Sequence, residues 1–141
     1  MRERLTPGPD ALNVPVHRRF SDLDPLGHVN NVVFHDYLQE GRVAFLRELG
    51  FPIGAITHVV VTQDIAFLRP LLAHPEPVLV QTWVARAGNS SYDFAYRILD
   101  ESGQVAAEAT TTMACIDKET GRPVRIPAEL RAALEARRLP M

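Results

Sequence analysis

The residues best suited to chemistry in this chain lie in one turn, SDLDPLGHVNN at positions 21–31. Two of its residues, Asp22 and Asp24, are carboxylates that stand just ahead of a segment with helical periodicity. A carboxylate can act as a general base or as a nucleophile. A helix start exposes unpaired backbone N–H groups that can stabilise a developing oxyanion. A thioester carbonyl held between Asp24 and such a helix start would meet a minimal hydrolase site.

The same turn has a purely structural interpretation. Pro25 and Gly27 favour a bend, and Asn30 or Asn31 can cap the following helix. A histidine in this position, His28, is more often a hydrogen-bonded structural side chain than a base, and Asp22 is expected to be a solvated or capping carboxylate. The local pattern therefore permits catalysis without requiring it.

Composition excludes several classes of partner. The 141 residues carry 15 basic and 17 acidic side chains, and no basic block suggests a nucleic acid partner. No apolar run is long enough to span a membrane, and the first residues lack the apolar centre of a secretory signal. A single cysteine, Cys115, forms no internal disulfide and is expected to be a small core residue. These features predict a cytoplasmic protein.

Periodicity predicts the elements that position the turn. Residues 1–13 are interpreted as a loose leader, followed by a strand at about 14–21 and an amphipathic helix over 31–50. Gly41 lies inside the apolar face of that helix, which indicates a close contact with a sheet. Four segments with a period of two follow, and residues 126–138 predict a closing helix.

This order of elements predicts an α+β fold, in which an antiparallel sheet wraps around one long central helix. Length and the absence of a linker predict a single domain over residues 14–141. One helix covers only part of such a sheet, so the uncovered face or edge is expected to meet another subunit.

Residues 19–50, RFSDLDPLGHVNNVVFHDYLQEGRVAFLRELG, resemble the opening of the 4-hydroxybenzoyl-CoA thioesterase family of hotdog-fold proteins. The similarity extends over roughly residues 14–135. It implies a hotdog fold, a homodimer or dimer of dimers, and hydrolysis of acyl thioesters between subunits without a cofactor or a metal. The catalytic aspartate of the family falls on Asp24, and the helix-start N–H that contacts the thioester carbonyl falls at about Asn31.

The resemblance also sets expectations about the substrate. We assign substrate binding to Gly27 and His28 in the loop, Phe34 and Tyr37 on the helix, and Thr62 in the strand from His58 to Phe67. Where some members hold the phosphates of coenzyme A with a basic cluster, this chain offers only Arg86. The HVNN sequence is similar to plant-type acyl-carrier-protein thioesterases, so either carrier remains a candidate.

Alternatives to this interpretation remain open. Some other hotdog enzymes keep their acid on the helix, where this chain has Glu40, but that side chain is expected to face Arg42, Arg47 or solvent. A non-catalytic module that binds acyl thioesters would use the same fold. Hydratase chemistry would need a further Asp/His pair, which the sequence does not offer.

Overall fold

The computed structural model describes residues 5, 7, 10–50 and 56–137. Its strands pair antiparallel throughout, in the spatial order β1-β3-β4-β5-β2. The elements are β1 (Leu12–Val16), a 3-10 turn (Phe20–Asp22), α1 (Val33–Glu48), β2 (Ile56–Phe67), β3 (Val78–Ala87), β4 (Ser91–Leu99), β5 (Val105–Asp117) and α2 (Ala128–Arg137). The arrangement is the predicted α+β sheet with one long helix packed against it.

Helix α1 lies on the sheet through the apolar side that the sequence predicts. Phe34, Leu38 and Phe45 are buried, and Phe45 contacts Phe94 of β4 edge to face. A Cβ atom at Gly41 would lie 2.5 Å from Thr82 Oγ1 and 2.7 Å from Val80 Cγ1. The predicted close contact between Gly41 and the sheet is confirmed, and β3 is the strand that makes it.

The first strand differs from its predicted position. It runs from Leu12 to Val16 rather than over 14–21, so two residues of the predicted leader pair with β3. The chain leaves the sheet after Val16 and turns at Phe20–Asp22, where the carboxylate of Asp22 accepts a hydrogen bond from the N–H of Arg19 at 2.9 Å. The alternation of apolar and polar residues favours a longer strand, but this hydrogen bond between a side chain and the backbone stabilises a turn instead.

The core lies between α1 and the sheet. Its strand residues include four side chains on one face of β4 and the thiol of β5, all fully buried: Tyr92, Phe94, Tyr96, Ile98 and Cys115. Burial raises the pKa of the Cys115 thiol, which fits its predicted role as a core residue. Neither helix of the described residues is long and apolar enough to cross a bilayer.

The two edges of the sheet are unlike each other. One edge is β1, which is short and contains Pro15. The other is β2, which spans 12 residues and exposes Val59, Val60 and Val61 to solvent. Pro and short length protect an edge strand from pairing, whereas a long apolar edge invites it. The unprotected edge of this chain is therefore β2.

Candidate active site

The loop that carries Asp24 is a tight turn closed by its own backbone. Leu23 bridges Val29, the N–H of Asp24 donates to the carbonyl of His28 at 2.7 Å, and the N–H of Gly27 donates to the carbonyl of Asp24 at 3.0 Å. Gly27 has a φ of 81°, in the left-handed region that glycine adopts without strain. The loop therefore has a fixed shape before any ligand binds.

The carboxylate of Asp24 is held through one of its two oxygens. Oδ1 accepts hydrogen bonds from the N–H of Leu26 at 2.9 Å and from the N–H of His28 at 3.1 Å. The side chain is half-buried, and no cation of the described residues forms an ion pair with it. The loop thus orients the carboxylate and leaves Oδ2 available to a ligand.

The turn that leads into α1 is closed by Asn30. Its side chain accepts a hydrogen bond from the N–H of Val32 at 2.9 Å, and its carbonyl accepts one from the N–H of Val33 at 2.9 Å. The N–H of the exposed residue Asn31 donates to no acceptor within the described part of the chain. Asn30 therefore closes the turn ahead of α1, whose N-cap position, Val32, has no side-chain cap, and Asn31 presents a backbone donor near the positive end of the helix.

A cavity of about 460 Å³ brings the carboxylate and the helix start together. Asp24, His28 and Asn31 line it together with Phe34 and Phe67. The rings of Phe34 and Phe67 meet edge to face with centroids 5.1 Å apart. The cavity lining thus combines polar groups that suit a carbonyl group with aromatic rings that suit an apolar acyl group.

Asp22 supports the loop from behind. Its carboxylate, 2% exposed, accepts hydrogen bonds from the Tyr37 hydroxyl at 2.8 Å and from the Arg19 backbone, while its carbonyl accepts one from the N–H of Asn30 at 2.9 Å. Burial raises the pKa of Asp22, but the Arg19 N–H, the Tyr37 hydroxyl and the Arg19 guanidinium outweigh it and hold the pKa below its ordinary value. Of the two expected roles, Asp22 is the capping carboxylate of the 3-10 turn and is not a solvated one.

Three residues that we assigned to substrate binding, Gly27, Tyr37 and Thr62, do not line this cavity. Tyr37 is buried and its hydroxyl is engaged with Asp22, and Thr62 is exposed on β2 opposite Thr112 of β5. Gly27 shapes the loop, whereas His28 and Phe34 line the cavity. The structure thus gathers Asp24, His28, Asn31 and Phe34 at one place.

The one basic residue that this chain offers where some family members have a basic cluster, Arg86, is engaged in an ion pair. Arg86 of β3 forms an ion pair with Asp93 of β4, with Nε 2.9 Å from Oδ2. Arg69, which lines the cavity, was not singled out from the sequence. The sequence feature that could have identified Arg69 is its position in IAFLRPLL, immediately after β2.

Glu40 is exposed on α1, as expected. No cluster of three metal-ligating side chains occurs among the described residues.

A family model described as the thioesterase-like superfamily matches residues 18–134, a span that includes the Asp24 loop, α1 and four of the five strands. The chain belongs to the thioesterase-like superfamily. The predicted thioesterase assignment is therefore confirmed at the level of the family.

Individual relatives of this thioesterase-like protein carry related names. It is 26% identical over 112 residues to the putative acyl-CoA thioesterase YneP of Bacillus subtilis, covering 76% of this chain and 80% of that protein. It is 30% identical over 117 residues to the long-chain acyl-CoA thioesterase FadM of Escherichia coli, covering 80% and 89%.

Solved structures confirm the predicted hotdog arrangement. The PA5185 protein of Pseudomonas aeruginosa superposes with a TM-score of 0.81 at 31% identity, over 92% of this chain and 93% of that one. A thioesterase of Thermus thermophilus, solved in complex with coenzyme A and Zn, superposes with a TM-score of 0.77 at 31% identity, over 90% and 92%.

Proposed function

We propose that this thioesterase-like protein hydrolyses acyl-CoA thioesters at the cavity that Asp24 and Asn31 share. The observation that carries the proposal is that one cavity is lined by a residue with an unpaired carboxylate oxygen, by a residue with an unused helix-start N–H, and by two aromatic residues. The names of the relatives support acyl-CoA as the substrate class, and one structural neighbour was solved with coenzyme A.

The chemistry follows from these two groups. The thioester carbonyl oxygen accepts a hydrogen bond from the N–H of Asn31, which stabilises the negative charge that develops on it. Asp24 then either removes a proton from an attacking water or attacks the carbonyl carbon itself, forming an anhydride that water hydrolyses. The C–S bond breaks, the coenzyme A thiolate leaves, and it takes up a proton.

The residues of this chain supply both the base or nucleophile and the oxyanion donor. We therefore propose that the reaction uses no cofactor and no metal, and that coenzyme A enters only as part of the substrate. His28 lines the cavity and donates its backbone N–H to Asp24, and we propose that its side chain hydrogen-bonds the substrate or holds the loop.

We propose that the working form is a homodimer or a dimer of dimers. The exposed valines of β2 and its unpaired backbone offer a second copy both apolar contact and hydrogen bonds. The opposite edge, β1, is too short to offer the same surface.

The direct test is a panel of acyl thioesters that share their acyl groups but differ in carrier, coenzyme A or acyl carrier protein. Release of free thiol above the uncatalysed rate with the coenzyme A donors is the expected result, and preference for the carrier protein would change the assigned donor. Binding of acyl-CoA without release of thiol would instead show a non-catalytic binding module. Water addition to an enoyl substrate, visible as a mass increase, would show a hydratase.

A further inference from the structure

A nearly buried cation lies beside β2, in the seam between α1 and that strand. The Arg42 side chain belongs to a residue only 8% exposed, and its Nη1 donates to Gln63 Oε1 at 3.1 Å and to the Tyr96 hydroxyl at 3.4 Å. The same Gln63 oxygen accepts from Thr111 Oγ1 at 2.7 Å, and Gln63 Nε2 lies 2.5 Å from His35 Nδ1. These hydrogen-bonding partners around the guanidinium are all neutral or potentially basic side chains.

The lack of a carboxylate distinguishes Arg42 from Arg18, another arginine whose side chain is buried. Arg18, with a side chain 2% exposed, lies 2.8 Å from Glu101. No carboxylate of the described residues lies within 4.0 Å of the Arg42 guanidinium. Removing a cation from water costs several kcal/mol unless an anion or well-aligned hydrogen bonds compensate. The neutral partners of Arg42 contact only Nη1. The guanidinium is therefore suited to bind an anion from outside the chain.

The position of Arg42 relates it to the proposed active site. Phe34 and Phe67 meet at the cavity, and Arg42 and Gln63 meet further along the same two elements. From Phe34 to Arg42 the helix rises about 12 Å, and from Phe67 to Gln63 the strand rises about 13 Å. The two pairs therefore mark two ends of one seam, with the apolar residues Leu38 and Ile65 between them.

We propose that Arg42 binds a carboxylate at the distal end of the acyl group, so that the substrates of this site include monothioesters of dicarboxylic acids. This inference rests on the proposed function, because the thioester carbonyl must lie at Asp24 for the acyl group to follow the seam. An extended chain advances roughly 1.2 Å per bond, so the span corresponds to an acyl group of about ten carbons. A guanidinium matches a carboxylate through two parallel hydrogen bonds, for which Nε and Nη2 remain.

The test compares two coenzyme A thioesters of equal chain length, decanoyl-CoA and the monothioester of decanedioic acid. The wild-type kcat/KM is expected to favour the diacid by about tenfold or more, since charge-assisted bidentate pairs are strong. Arg42→Gln should bring the ratio close to one. Arg47→Gln, which removes an exposed arginine of the same helix, should leave the wild-type ratio unchanged.

A second variant of Arg42 and a binding measurement test the proposal even if Arg42→Gln does not fold or the protein does not hydrolyse these thioesters. Arg42→Lys retains the charge and should keep part of the preference, so it replaces Arg42→Gln if the latter does not fold. Calorimetric binding of both thioesters to Asp24→Asn measures the same ratio without turnover. If wild type hydrolyses neither thioester, the proposed function is overturned, and the ratio of the two binding constants still tests the role of Arg42.

The proposal is overturned if wild type treats the two thioesters alike in hydrolysis and in binding. It is also overturned if Arg42→Gln leaves the wild-type ratio unchanged. If that variant also dissociates an oligomer in sedimentation, the carboxylate that Arg42 binds comes from a second copy of the chain.

Discussion

Two aspartates separated by a single residue have different surroundings in this site. Asp22 is buried and saturated with donors from Arg19 and Tyr37, whereas Asp24 is half-buried and receives donors at only one oxygen. The first carboxylate therefore stabilises the loop, and the second is left available for a reaction. Asp22 ends the 3-10 turn and Asp24 begins the loop that follows Leu23, so the two side chains have different neighbours.

The lowered pKa of Asp22 makes its contribution to stability dependent on pH. Its ionised form stabilises the folded state above about pH 4, and this contribution is lost as the pH falls through the lower folded-state pKa. Asp22→Asn should lower the free energy of unfolding by about 1–3 kcal/mol at pH 7. Urea unfolding should show the difference shrinking below about pH 4; a difference independent of pH would contradict this role.

The backbone donor at Asn31 can be removed without removing the turn. Asn31 lies two residues ahead of α1 and its N–H donates no hydrogen bond within the described residues, so Asn31→Pro deletes the N–H without breaking a bond of the turn. The expected result is a fall in kcat of about 10²- to 10³-fold, typical for loss of one oxyanion donor. Asn31→Ala, which keeps the N–H, should retain most of the activity. Equal losses in both variants would assign the effect to the side chain or to the helix start as a whole.

At the scale of the elements, α1 holds the site against the sheet through its closest contact, at Gly41. An alanine methyl there would overlap Thr82 and Val80, two fully buried β-branched side chains that have little freedom to move. Overpacking costs about 1–3 kcal/mol, and the better helix propensity of alanine returns at most about 1 kcal/mol.

Gly41→Ala should therefore lower the free energy of unfolding by about 1–2 kcal/mol. Chemical denaturation measures it, with Gln39→Ala at an exposed position of the same helix as the control, expected within about 0.5 kcal/mol of wild type. A Gly41→Ala protein as stable as wild type would show that α1 can move away from β3.

How much of the structure the sequence predicts depends on whether each feature is determined by neighbouring residues. The helix period located α1, and the turn chemistry of Pro25 and Gly27 located the loop, because both signals lie within a few residues. Tyr37 follows the same helical period as Phe34, so periodicity could not show that one faces the cavity and the other anchors Asp22. Thr62 and Arg69 depend on where β2 and its exit lie in space, which only the folded sheet determines.

At the scale of the whole molecule, the long edge β2 predicts assembly. Val61 is 57% exposed at the register shift of β2, and Val61→Lys would place a charge on that edge. Sedimentation should show self-association weakened by about tenfold or more in this variant. Val43→Lys, which alters an exposed valine of α1 facing the β1 side, should assemble like wild type. Weakening in both variants, or in neither, would argue against β2 as the interface.

The central claim concerns the carboxylate of Asp24, and kcat for one acyl-CoA thioester tests it most directly when measured in three proteins. The comparison is between wild type, Asp24→Asn and Asp36→Asn, the last an exposed acid on the first turn of α1. We expect Asp24→Asn to lose about 10²- to 10⁴-fold in kcat while Asp36→Asn stays near wild type. Asp24→Asn turning over at the wild-type rate would contradict the account.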